Sequence, residues 1–245
     1  MQLFRQWRAA EAMAACLLFF AFGDAASASS IRINPILLQV RSGSSATTLT
    51  LTNDGSQAAL VKAHALVWRQ IGGLDLYEKT SDLIVSPTVA RIPAGSSQLI
   101  RVGPRQRNGS EERAYRLIVE EMPQQAPSGG TVNIALRFNV PLFVSGSHAL
   151  TPDIQWTASL HNGTGLIRLG AVNLGGSRAD IQGLRFLDKN GRGGPLPGRP
   201  GVVLAKGSKE WSLNNKWGFS AGDRLTLTVR LGGREHDVQV ILQDY

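Results

Sequence analysis

An all-β fold of two sandwich domains is what this sequence predicts, on three observations. Apolar and polar residues alternate in short runs, most clearly in Thr47–Thr52 (TTLTLT) and Thr131–Val144 (TVNIALRFNVPLFV), and a period of 2 is the mark of a half-buried strand. Clusters of Gly, Pro, Asn and Asp punctuate those runs at the spacing of strand turns. Beyond the first residues no window carries helical periodicity. The alternation stops at Ser145-Gly146-Ser147, so the boundary falls there. The first domain is expected over residues 29–147 and the second over 148–245.

Residues 1–28 are expected to be a signal peptide. Arg5 and Arg8 precede an apolar run, Ala12–Phe22, and Ala26-Ser27-Ala28 is a small-residue cleavage site. The run is too short to span a bilayer. Cys16 lies inside it and is the only cysteine, so the mature chain, beginning near Ser29, has no disulfide and must be held by its core. It is expected in the periplasm or outside the cell.

The net charge is +8, and 29–147 and 148–245 each carry 12 basic and 8 acidic residues. A nucleic-acid binder concentrates its charge in a patch; here it is spread, which excludes that class and fits attraction to an acidic protein partner.

In chain order, Ile31–Val40 reads as a strand with Asn34-Pro35 near its start, a position where proline is tolerated. Thr47–Thr52 ends at the turn Asn53-Asp54-Gly55. Leu60–Arg69 alternates until Gly72-Gly73; Leu83–Val85 runs into Ser86-Pro87; Ser97–Val102 follows the turn Pro93-Ala94-Gly95. Ala114–Glu121 and Thr131–Val144 flank a Pro/Gly-rich loop, Pro123–Gly130, as the two arms of a hairpin. In the second half Leu166–Val172, Ile181–Leu187, Val202–Leu204, Leu225–Leu231 and Val238–Leu242 are strands, and Lys189–Gly201 is a long loop.

Along Thr131–Val144 the residues Val132, Ile134, Leu136, Phe138, Val140 and Leu142 form one apolar row. A row of that length facing solvent invites aggregation, so it needs a partner, self-association of the free protein, or shielding by a loop. With Leu51-Thr52-Asn53-Asp54, Ile92-Pro93-Ala94-Gly95 and Arg101, Tyr115-Arg116-Leu117, Glu121-Met122-Pro123 and Val140-Pro141-Leu142-Phe143-Val144, the chain resembles the periplasmic pilus (fimbrial) assembly chaperones of the chaperone–usher pathway, in their archaic branch. The resemblance implies two immunoglobulin-like β-sandwich domains in an L-shaped arrangement. It implies a G strand that lends alternate apolar side chains to a pilus subunit lacking a strand of its own, before delivery to an outer-membrane usher. Val132, Ile134, Leu136 and Phe138 would be the donor residues. A structural pilus subunit or adhesin is the other all-β reading; such a subunit should show an N-terminal donor extension, and the lead-in before Pro35 is short.

One departure from the family matters. Its better-known branch holds the subunit's terminal carboxylate with an Arg on the first strand and a Lys on the G strand, places that fall near Leu37 and at Pro141 here. Opposed residues of a hairpin have numbers of constant sum. A loop centred near Pro127 would set Arg116 against Phe138, on the apolar face, where a guanidinium can take a carboxylate bidentately. Arg116 is therefore the expected anchor and Arg101 the second candidate.

Catalysis, cofactors and metals are not expected. Gly218-Phe219-Ser220-Ala221-Gly222 has the spacing of a nucleophile elbow, but a strand and no helix follows it. His64, His148, His161 and His236 are scattered, without a zinc pattern.

Overall fold

In a computed structural model, residues 31–106, 109–122, 135–148, 150–161 and 163–245 are described. The proposed signal peptide, Val132, Ile134 and the hairpin loop fall outside them. The described residues form strands and no helix.

The first sandwich contains β1 (Ile31–Asn34), β2 (Leu38–Val40), β3 (Thr47–Asn53), β4 (Ala59–Ile71), β5 (Leu74–Lys79), β6 (Leu83–Ser86), β7 (Val89–Ile92), β8 (Ser97–Pro104), β9 (Arg113–Met122) and β10 (Arg137–Val144). One sheet has the order β1-β3-β8-β6 and the other β2-β10-β9-β4-β5, with β7 also on β4. The expected single strand Ile31–Val40 is thus two, broken at Pro35: β1 pairs β3 in one sheet, while β2 crosses to the other and pairs β10 in parallel. Between the sheets lie Leu38, Val40, Leu49, Leu51, Val61, Ile100, Val102, Tyr115, Leu117, Val119, Val140 and Leu142, all buried. Because strand side chains alternate, these fix which residues point outward. On β4, Val61 and Ala63 point in, so His64, Leu66 and Trp68 point out.

The second sandwich contains β11 (Ile154–His161), β12 (Leu166–Asn173), β13 (Ala179–Asp188), β14 (Gly193–Pro195), β15 (Gly201–Val203), β16 (Ser208–Asn214), β17 (Arg224–Leu231) and β18 (Arg234–Asp244). Parallel pairing of β18 with β11 joins its two layers along one edge. Its own core includes Ile167, Leu169, Phe186, Leu225, Leu227 and Leu242.

Both sandwiches use the same buried plug. Asn53, at the end of β3, donates from Nδ2 to the carbonyls of Gln57 (2.7 Å) and Ile92 (3.0 Å), and its Oδ1 accepts from the Gly55 N–H. Asn173, at the end of β12, donates to the carbonyls of Ser177 (2.8 Å) and Leu204 (2.9 Å), and accepts from Gly175 and Asp153. Both side chains are buried. Removing one strands several buried backbone groups, each costing about 1–3 kcal/mol. Asn53→Ala is expected to destabilise the protein by about 2–4 kcal/mol, read as a lower urea midpoint with an unchanged slope; a loss under about 0.5 kcal/mol would mean that the freed groups find other partners.

Candidate functional site

β10 is the strand around which a site can be built. Its pairing with β9 runs Arg137↔Glu120, Phe138↔Val119, Val140↔Leu117 and Pro141↔Arg116. The register differs from the expected one, which placed Arg116 opposite Phe138. The apex of a long loop is a poor guide to register because its two arms need not be equal; here opposed numbers sum to 257, which centres the hairpin past Pro127. Charge pairing agrees with this register, since Arg137 Nε lies 3.3 Å from Glu120 Oε1.

Two consequences follow from the alternation. Val140 and Leu142 face the first core, and Leu136 and Phe138, half-buried, pack against it. Leu136 is therefore not bare in the free protein: it covers the rim of its own sandwich. The carbonyl of Leu136 accepts from Glu121 N at 2.8 Å, so even-numbered residues of β10 turn their backbone groups toward β9 and odd-numbered ones turn away.

The far edge of β10 is only partly covered. β2 pairs with Leu142, Phe143 and Val144. The next rung toward the start of β10 would need the N–H of residue 141, which is a proline and has none. β2 stops there, Leu37 and Ile36 turn into solvent at 43% and 76% exposure, and the backbone groups of Arg137 and Asn139 on this side meet no strand among the described residues. An edge without a partner strand among the described residues, beside a half-buried apolar row, is a template for an incoming strand.

Arg116 is on the opposite face of the sheet from that row. It is flanked across the strands by Pro141 and Leu66. Its guanidinium carbon stacks 3.8 Å from the centroid of the Trp68 ring and 5.8 Å from that of Tyr77. Its buried Nε has no hydrogen-bond partner. This is a cation over an aromatic pair, with one buried donor unpaired. Arg101 is elsewhere: its neighbours Ile100 and Val102 are in the core, so it projects from the outside of the other sheet, near Ser45 Oγ at 3.4 Å. The structure does not bring the two arginines together.

Trp68 and Tyr77, which from sequence alone could be a carbohydrate platform but read more simply as isolated core aromatics, are brought together beside Arg116. They are cross-strand partners in the β4–β5 hairpin. The signal was present in Gly72-Gly73: both glycines adopt positive φ (57° and 80°), a two-residue turn that only glycine makes cheaply, and such a turn fixes Trp68 opposite Tyr77.

Trp68 also reaches the second domain. With Ala114, Phe143 and Leu204 it forms a small buried core between the sandwiches, and Val202 packs on it. Arg178 of the second domain stacks 3.8 Å over the Phe143 ring and forms an ion pair with Glu112 of the first. Burial pushes the Glu112 carboxyl above its ordinary value, partly offset by Arg178. Beside these contacts a cleft of about 410 Å³ is lined by Trp68, Asp82, Glu112, Arg113, Tyr115 and Lys206. There the Tyr115 hydroxyl donates to Asp82 and its pKa is pushed up to about 12, chiefly by burial.

The Gly218–Gly222 stretch is a turn between β16 and β17, with Ser220 exposed. Among the described residues no group of three His, Cys, Asp or Glu could hold a metal ion.

Comparison with known proteins points one way. Residues 30–148 match the family model described as pili and flagellar-assembly chaperone, PapD N-terminal domain. No curated protein matches the chain. Among solved structures, a chain of the CsuC–CsuE chaperone–tip adhesion subunit pre-assembly complex, from the archaic chaperone–usher Csu pili of Acinetobacter baumannii, is similar at 22% identity with a TM-score of 0.63; 88% of this chain and 99% of that one are covered. The E. coli chaperone DraB is 17% identical with a TM-score of 0.56, over 88% of this chain and 97% of its own. The Salmonella enterica complex of SafA pilin with the SafB chaperone matches at 16% identity and a TM-score of 0.57, covering 87% and 96%. The fold shared with these structures is a pair of immunoglobulin-like sandwiches.

Asp75 ties the site to the domain junction and makes it sensitive to acid. Burial alone would raise its pKa, but hydrogen bonds from Gln70 and Trp68, with the charges of Lys209 and Arg116, hold it below the ordinary carboxylate value. A carboxyl whose pKa is depressed by folding stabilises the folded state above its unfolded pKa and loses that contribution as pH falls through the folded one. Below about pH 4 the environment of Trp68 is expected to loosen, seen as a shift in tryptophan fluorescence ahead of global unfolding. Asp75→Asn should lack that early step; its persistence in the variant would assign the step to another group.

Proposed function

From a chain that belongs, by residues 30–148, to the pili and flagellar-assembly chaperone family, we propose a periplasmic chaperone of the archaic branch that caps pilus subunits by donor-strand complementation and passes them to an outer-membrane usher. Residues 1–28 direct export, 29–147 form the subunit-binding domain and 148–245 the second domain. The observation that carries this reading is the edge of β10 left open where Pro141 ends the pairing with β2. A subunit strand pairing there finds the unpaired groups of Arg137 and Asn139, while the apolar row of Val132, Ile134, Leu136 and Phe138 fills the subunit's groove. Binding removes an exposed edge from each partner.

Arg116 is the proposed anchor for the subunit's terminal carboxylate. It lies across from Pro141, on the strand next to the open edge, with its guanidinium over the Trp68 ring. A charged stop is useful because a one-residue slip of a paired strand turns every side chain to the wrong face. Arg101, on the far side of the sandwich, is not suited to that part.

The test co-produces the mature chain with a pilus subunit in a bacterial periplasm and measures soluble complex. Ile134→Asp with Leu136→Asp is expected to abolish capture with the far-UV circular dichroism retained and a lower melting temperature, since Leu136 packs on the first core. Ile134→Asp alone should lose most capture with the melting temperature little changed, and its unfolding would make the row core and end the donor-strand reading. Arg116→Ala should cost about 2–5 kcal/mol of binding, much of it from leaving a carboxylate unpaired, with Arg116→Lys recovering part. Arg101→Ala should capture normally. Wild-type capture by Arg116→Ala alongside failure of Arg101→Ala would reverse the assignment.

A further inference from the structure

The contacts across the domain junction give the second domain a part in binding. We infer that it braces the anchor: Lys209 and Leu204, acting through Asp75 and the Trp68 ring, position the Arg116 guanidinium without touching the subunit. This rests on the proposed role of Arg116 and adds positioning residues to it.

A stacked guanidinium is only as well placed as the ring beneath it. Trp68 is 5% exposed, and its orientation is fixed at two points. Its indole N–H donates to Asp75 Oδ1 at 2.9 Å, and its ring packs among Phe143, Ala114 and Leu204. Asp75 is held in turn by Gln70 Nε2 at 2.8 Å and by Lys209 Nζ, 3.7 Å from Oδ2. Gln70 is buried and committed to the same junction. Its Nε2 also donates to the Val202 carbonyl at 2.9 Å, and its Oε1 accepts from Leu204 N at 2.8 Å. Both amide protons and the amide oxygen of Gln70 are therefore used, and two of those three bonds end on the second domain. Without that domain, Gln70 would lose two partners, Asp75 one of its two cations and Trp68 part of its packing. The shelf under Arg116 would then be free to turn.

A junction that only sets the angle between domains would use the same contacts, so the test must separate the two. The probe is a short soluble peptide of alternating valine and threonine with a free terminal carboxylate, compared with its amidated twin, in titrations of the mature two-domain protein. Lys209→Met is expected to weaken carboxylate-peptide binding roughly threefold to tenfold and Leu204→Ala roughly tenfold, with the Trp68 indole N–H resonance shifted in both; Lys209→Arg should restore affinity. In an Arg116→Ala background, or with the amidated peptide, neither substitution should have further effect. Losses that persist unchanged in that background, or no loss in either variant, would overturn the brace while leaving the anchor standing. A wild-type protein that does not distinguish the two peptides would overturn the anchor itself, and the brace with it.

Discussion

One strand has to satisfy four surroundings at once, and a period of 2 is what permits it. Even-numbered residues of β10 give their backbone groups to β9 and their side chains to the first core. Odd-numbered ones give their backbone to the far edge and their side chains to the outer face. There Arg137 meets Glu120, Pro141 lies beside Arg116, and Phe143 enters the junction with the second domain. No bulge interrupts the described pairing with β9. A slip of one residue would send Phe143 into the core and a core leucine into the junction. Register here is therefore enforced from both faces and not by the loop.

Pro141 works on the same strand through what it lacks. Elsewhere in a central position a missing N–H would be a defect. In β10 it falls on the side away from β9, so the main ladder is intact and only the edge partner is affected. β2 covers the strand up to that point and no further. One covalent feature thus divides the edge into a closed half that holds the sandwich together and an open half that can receive another chain.

The sequence made much of this readable. The all-β class, the turn at Asn53 and the apolar row follow from alternation and turn chemistry alone. The hairpin register was not readable from the loop apex, although Glu120 and Arg137 held the answer as the favourable cross-strand pair. Edge strands were missed most often: β5 and β16 bury little, and β7 is only four residues long, too short for its alternation to stand out. β11 was also missed, although Ile154, Trp156, Ala158 and Leu160 alternate toward the second core. The second domain was less legible as a whole because short edge pieces such as β14, inside the expected loop Lys189–Gly201, carry glycine where a pattern would need side chains. The aromatic shelf was hidden because Trp68 and Tyr77 are read singly as core, and become a pair only once the Gly72-Gly73 turn is taken as setting a register.

The choice of arginine over lysine at position 116 follows from the same geometry. A lysine ammonium is a compact, strongly hydrated charge, and half-burying it over an indole would cost much of its hydration. A guanidinium is planar and weakly hydrated, and it recovers part of that cost by stacking, about 0.5–2 kcal/mol depending on exposure. Stacking leaves the edge of the plane, where the N–H donors are, free for a bidentate acceptor. The buried Nε without a partner is the residual cost of the free state. Stacking on Trp68 offsets that cost in part, and Trp68 is itself held by Asp75 and by the junction core.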